Sequence, residues 1–331
     1  MITVPGDAPY DRAALRVFYP ANETESAKET GVFPIRPLKH QPVVIFFPGV
    51  NCSPHSNYWL LRYLAENNLV VAILEWVGQN LPGRSSYTPG IDISALAPNV
   101  YGTKPTASAL LAILDELKAL NESEVFSGIL NLNCIALGGH SAGGMIALQN
   151  ANQEWFPGVQ AAFAVCANPL PTMALGGWKD GKLPPLPDSN VLLIGGTHDV
   201  IGNLHNQQFG RPLEHGWETV QAVFDQCYSE TEGNRKYLAI LKGVNHHTIC
   251  DPLDETIGRT YLEPTVGDQA AVRKHMARWI RSFLMLMLWE SNGWAGQLQD
   301  MVTEPDMEFD YIVRRKWIQA ALPIQQSYLG V

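Results

Sequence analysis

The chain has 331 residues, of which 46% are hydrophobic and only 17% charged, so it can bury a large core and does not read as disordered. Its 23 basic residues against 32 acidic ones give a formal net charge of -9, with no basic run, which argues against a surface built for nucleic acid. The opening MITVPGDAPYDRAALRVFYP lacks the basic and apolar blocks of a secretory signal.

The longest apolar run outside predicted strands, FLMLMLW at 283–289, is too short to span a bilayer. Cysteines stand at 52, 134, 166, 227 and 250, odd in number and without a CxxC pair. They read as free thiols in a reducing compartment, and a cytoplasmic location is expected.

Short apolar runs recur along the chain: LRVFYP at 15–20, VVIFFPG at 43–49, VVAILEW at 70–76, CIALGG at 134–139, AAFAVCA at 161–167, VLLIGG at 191–196 and YLAILKG at 237–243. Most do not alternate with polar residues, the pattern of strands buried on both faces of a parallel sheet. Between them lie stretches with helical spacing. Residues 57–67 place Leu60, Leu61 and Leu64 on one face, with Ser56 as the expected cap, and 106–120 align Leu110, Leu111, Leu114, Leu117 and Leu120. A last helix over 268–289 carries Val272, Met276, Trp279, Ile280, Phe283 and Met287.

The alternation predicts an α/β fold: a mostly parallel central sheet with helices on both faces. Three connections, 77–105, 168–190 and 200–236, exceed simple turns and are expected to form long loops or a small cap over a site. One domain is expected over 1–290. The remainder, 291–331, reads as an extension packed on it through Trp294, Phe309, Tyr311, Trp317 and Leu322.

The stretch GGHSAGG at 138–144 follows a predicted strand and precedes the helical GGMIALQNA. Gly139-His140-Ser141-Ala142-Gly143 fits G-x-S-x-G, a strand–serine–helix turn that holds the serine strained at its tip. The helix N-terminus then favours negative charge developing beside the hydroxyl. A serine needs a base, and the base needs an orienting acid. Asp199 follows the 191–196 strand, and His246 and His247 follow 237–243. Strand ends on one edge of a parallel sheet converge, and the order Ser, Asp, His suits this elbow. The candidate triad is Ser141–Asp199–His246.

At these residues the chain resembles the α/β-hydrolase superfamily, from about residue 15 to about 290. The RVFYP opening, the FFPG turn and the GHSAGG elbow resemble its serine-using dienelactone-hydrolase-like group, which includes chlorophyllases, platelet-activating-factor acetylhydrolases and polyester hydrolases. The resemblance places the acid last in G-x-x-D, at Asp199, and the histidine last in G-x-x-H, at His246. A shift of one residue would give His247 instead. Dienelactone hydrolases proper use cysteine where this chain has Ser141, which counts against that particular reaction.

An oxyanion hole needs two backbone N–H donors. One is expected at Ala142, directly after the nucleophile. The resemblance places the other at Val50, although Pro48-Gly49 replaces the common His-Gly start of that turn. The expected function is cleavage of a small, apolar carboxylic ester through an acyl-serine, with no cofactor and no metal. The alternatives are a transacylase or lyase on the same fold, or a binding protein that has lost turnover.

His198-Asp199 and His246-His247 lack metal-ligand spacing. His55 and Cys52 either line the pocket mouth or serve as surface filler and packed thiol. Tyr87 and Trp178 either contact an apolar substrate or pack their own loops.

Overall fold

The computed structural model describes residues 1–21, 34, 39–81, 83–178, 183–208, 214–229, 233–253, 263, 267–289 and 311–316. The first half runs β1 (Ile2–Thr3), β2 (Arg12–Phe18), β3 (Gln41–Phe47), α1 (Tyr58–Glu66), β4 (Val70–Glu75), β5 (Val77–Leu81), β6 (Arg84–Tyr87) and α2 (Leu110–Glu122). It continues with β7 (Leu130–His140), α3 (Ala142–Gln149), β8 (Val159–Val165), α4 (Leu170–Gly176), β9 (Asn190–Gly196) and α5 (Val200–Gln208). The described chain ends with α6 (Glu218–Cys227), β10 (Lys236–Leu241), α7 (Gln269–Leu288) and β11 (Tyr311–Lys316).

The main sheet has the order β1-β2-β4-β3-β7-β8-β9-β10-β11. Every pairing from β4 through β10 is parallel, while β1, β2 and β11 add to the edges antiparallel. The parallel strands are the apolar runs of the sequence. Val43, Ile45 and Phe47 of β3 enter one core and Val44 and Phe46 the other, as strand alternation requires.

Helices cover both faces. Leu110, Ile113 and Leu117 of α2, Met145 and Ile146 of α3, and Val223 and Phe224 of α6 share the first core. Leu60, Leu61 and Leu64 of α1 pack in the second with Met276, Trp279, Ile280 and Phe283 of α7. The molecule is therefore a mixed α/β protein with a large, mostly parallel sheet.

The strand order reverses between β3 and β7: the chain leaves β3 toward β4, then returns to β3's other side and proceeds outward. A crevice opens at the carboxyl ends of strands at such a switch point. The turn after β3 and the β7–α3 junction flank it.

Local details differ from the sequence reading. Ser56 does not cap α1, because Pro54 starts a 3-10 turn over Pro54–Asn57 and Asn57 becomes the N-cap residue. The helix expected from 106 starts at Leu110, since Ala107 forms an isolated β-bridge with Ile91, and the Thr106 carbonyl that a helix would use accepts from Asp92 N at 2.8 Å. The 77–105 connection holds the β5–β6 hairpin, while 168–190 carries α4 and 200–236 carries α5 and α6. Of the tail, the structure describes only β11, and Trp294, Phe309, Trp317 and Leu322 lie outside the described residues. No helix among the described residues is long and apolar enough to cross a membrane.

Candidate active site

Ser141 stands between β7 and α3 with φ 55 and ψ −120, backbone angles that a non-glycine residue holds only when its surroundings enforce them. Its N–H donates to Val165 O at 2.9 Å, and its carbonyl accepts from Met145 N at 3.1 Å. The glycines around it allow the close approach. A Cβ on Gly139 would fall 2.4 Å from the Gly143 carbonyl, and one on Gly143 would fall 2.2 Å from Phe47 O and 2.3 Å from Pro48 O. Strand β7, helix α3 and the end of β3 thus meet backbone to backbone, leaving Ser141 partly exposed.

The three residues expected to converge do so. His246 Nε2 lies 2.9 Å from Ser141 Oγ, and His246 Nδ1 lies 3.1 Å from Asp199 Oδ1. A carboxylate only accepts, so Nδ1 carries the hydrogen toward Asp199, and Nε2 of the neutral ring can accept from the serine hydroxyl. Asp199 and His246 are buried. Asp199 Oδ1 also accepts from Gly202 N at 2.7 Å in the first turn of α5.

Burial alone would raise the Asp199 carboxyl, but the facing His246 charge and hydrogen bonds from His246 and Gly202 hold it below the usual carboxylate value. Burial would likewise lower His246. The charge and hydrogen bond of Asp199 outweigh it, and the imidazole is raised to about 9.

His247 faces elsewhere. Its Nδ1 lies 3.2 Å from Glu263 Oε2, while Glu263 Oε1 accepts from Val200 N at 2.8 Å and Ile201 N at 3.1 Å. Glu263 therefore joins the residue after His246 to the start of the helix after Asp199. It lies far along the chain with no motif around it, and sequence reasoning missed it. His140 was passed over as the variable position of the elbow motif. Yet its buried ring packs 5.0 Å from that of His246, and its Nε2 lies 2.7 Å from the His246 carbonyl oxygen.

Ala142 and Val50 are the expected oxyanion donors. Ala142 opens α3, where N–H groups lack helical partners. The Val50 side chain is exposed, and its turn closes by a hydrogen bond from Cys52 N to Gly49 O at 3.2 Å. Among the described residues, neither the Ala142 nor the Val50 N–H is engaged by a protein acceptor. Asn51 N donates to Tyr87 O at 3.0 Å, so the β5–β6 hairpin is anchored to this turn.

The remaining candidates make local contacts. Trp178 Nε1 donates to Leu96 O at 2.6 Å, and its ring meets Tyr101 edge-on. His55 is exposed and packs edge-on with Tyr58. His198 is exposed and pairs with Thr197 Oγ1. Cys52 is buried beneath the turn.

No family model matches the chain, and no curated protein matches it.

Proposed function

We propose that this protein is a serine hydrolase of the α/β-hydrolase fold that cleaves a carboxylic ester through an acyl-serine. The observation that carries this reading is the position of the His246 ring, 2.9 Å from Ser141 Oγ on one side and 3.1 Å from Asp199 on the other. The strained backbone of Ser141 adds support, since such strain persists only where the surroundings enforce it and clusters at functional sites.

In this reading Ser141 Oγ attacks the ester carbonyl while His246 Nε2 takes its proton. Asp199 fixes the tautomer and stabilises the imidazolium that forms. The Ala142 and Val50 N–H groups receive the oxyanion, each such donor contributing about 10²–10³-fold to turnover. Collapse of the tetrahedral intermediate expels the alcohol, which takes the proton from His246. Water, deprotonated by the same imidazole, then attacks the acyl-serine, releases the acid and restores Ser141.

The test is hydrolysis of p-nitrophenyl esters of graded acyl length, with and without an added alcohol acceptor. Wild-type protein releases free acid in excess over enzyme, and the Ser141→Ala variant does not. Product appearing chiefly as the acceptor's ester would replace hydrolysis by acyl transfer. A folded wild type inert to the whole series would count against an ester hydrolase.

A further inference from the structure

Beneath the candidate site lies a second constellation with a different chemistry. Cys52 Sγ, Cys250 Sγ and His140 Nδ1 all lie within 4.8 Å of one another. Their residues are 3%, 2% and 0% exposed. Each comes from a different segment: Cys52 from the turn after β3, His140 from the last position of β7, before Ser141, and Cys250 from the turn that carries His246.

The orientation of His140 is informative. Its Nε2 faces the His246 carbonyl oxygen at 2.7 Å. A carbonyl only accepts, so Nε2 carries the hydrogen and Nδ1 of the neutral ring presents a lone pair. That Nδ1 is buried beside the Cys52 thiol and, among the described residues, no nitrogen or oxygen donor faces it, an arrangement that ordinarily has a reason. An imidazole that donates one N–H to a backbone carbonyl and offers its other nitrogen is oriented as a metal ligand is.

Gly49 makes room for this arrangement. A Cβ there would fall 2.9 Å from both Cys52 Sγ and His140 Nδ1. At Gly49 the turn passes over Cys52 Sγ and His140 Nδ1 without a side chain.

We propose that Cys52, His140 and Cys250 form a binding site for a thiophilic divalent cation, of which zinc is the probe. Two thiolates and one neutral imidazole give a charge of −2, so a divalent ion makes the buried cluster neutral, as a low-dielectric site requires. A Cys₂His set is one that zinc takes together with a fourth, exchangeable ligand. Binding displaces two thiol protons to solvent.

The ion ties together the three segments that present Val50, Ser141 and His246. The site stands whether or not Ser141 is a nucleophile, and its test does not read turnover.

Reduced, metal-free protein is titrated with Co²⁺, and the thiolate-to-cobalt charge-transfer band is followed. One equivalent produces the band in wild type, in Cys134→Ser and in Cys166→Ala. The band is lost in Cys52→Ser and in Cys250→Ser, either of which suffices if the other fails to fold by circular dichroism. Zinc absorption spectroscopy on wild type then shows two sulfur neighbours at about 2.3 Å and nitrogen at about 2.0–2.1 Å. Absence of a stoichiometric band, its persistence in both variants, its loss in Cys166→Ala alone, or a zinc shell without sulfur would each overturn the site.

Discussion

His140 Nε2 donates to the backbone carbonyl of His246 across 2.7 Å, so the residue before the proposed nucleophile holds the main chain of the residue proposed as its base. Both are buried, and removing the donor leaves a buried carbonyl unpaired at a cost of about 1–3 kcal/mol. His140→Ala should therefore lose stability of that order in urea denaturation. Ester turnover should fall with it, while His55→Ala, which removes an exposed ring, should leave both unchanged.

Removing the acid should act on the tautomer rather than on the architecture. Asp199→Asn keeps an acceptor-sized side chain but no longer fixes hydrogen on Nδ1, and turnover should drop by about 10⁴-fold, the scale of acid-to-amide changes in such triads. Steady-state rates on one ester, with circular dichroism to verify folding, check this.

The pH profile follows from His246. Its raised affinity for a proton, to about 9, makes the free base the minor form at neutral pH, so kcat/KM should climb through neutrality toward pH 9. The Asp199 charge causes the rise, so residual activity in Asp199→Asn should reach its plateau at lower pH. Glu263 also raises His246 through its charge. Glu263→Gln should move the profile in the same direction by less, with KM little changed.

Stability carries the complementary dependence. His246 binds its proton more tightly folded than at its ordinary value of 6.5, so this contribution is fully present below about pH 6.5 and fades as pH rises through about 9. Asp199 is held low, so its contribution fades as pH falls into the acid range. Urea midpoints of wild type and His246→Gln should converge between pH 6.5 and 9. A gap that stays constant would contradict the pairing.

Glycine 143 offers a steric test. An added Cβ meets two backbone oxygens, of Phe47 and Pro48, which cannot move aside as a flexible side chain could. Gly143→Ala should cost at least about 1–3 kcal/mol, the range for overpacking. Gly102→Ala, where a Cβ meets nothing within 4 Å but φ is +80, separates backbone strain from collision.

Much of this architecture is legible in the sequence because the physics is local. The strands of the parallel core are buried on both faces, so they appear as unbroken apolar runs such as VVIFF and VLLIG. Ser141, Asp199 and His246 each follow their own strand, and the parallel sheet brings their ends together.

What depended on distant partners was hidden. Glu263 reaches both His247 and the first turn of α5, and no residue near it signals either contact. The Cys52–His140–Cys250 cluster has no metal-binding spacing, because three segments distant along the chain assemble it. The start of α2 was misjudged because Asp92 N, distant in the chain, takes the Thr106 carbonyl that local periodicity assigns to the helix.

The central claim is that Ser141 is an activated nucleophile, and intact mass after incubation with a fluorophosphonate tests it most directly. A single covalent adduct on wild-type protein, absent from folded Ser141→Ala, is the predicted result. Folded wild type that takes no adduct, or a variant that takes the same adduct as wild type, would contradict it.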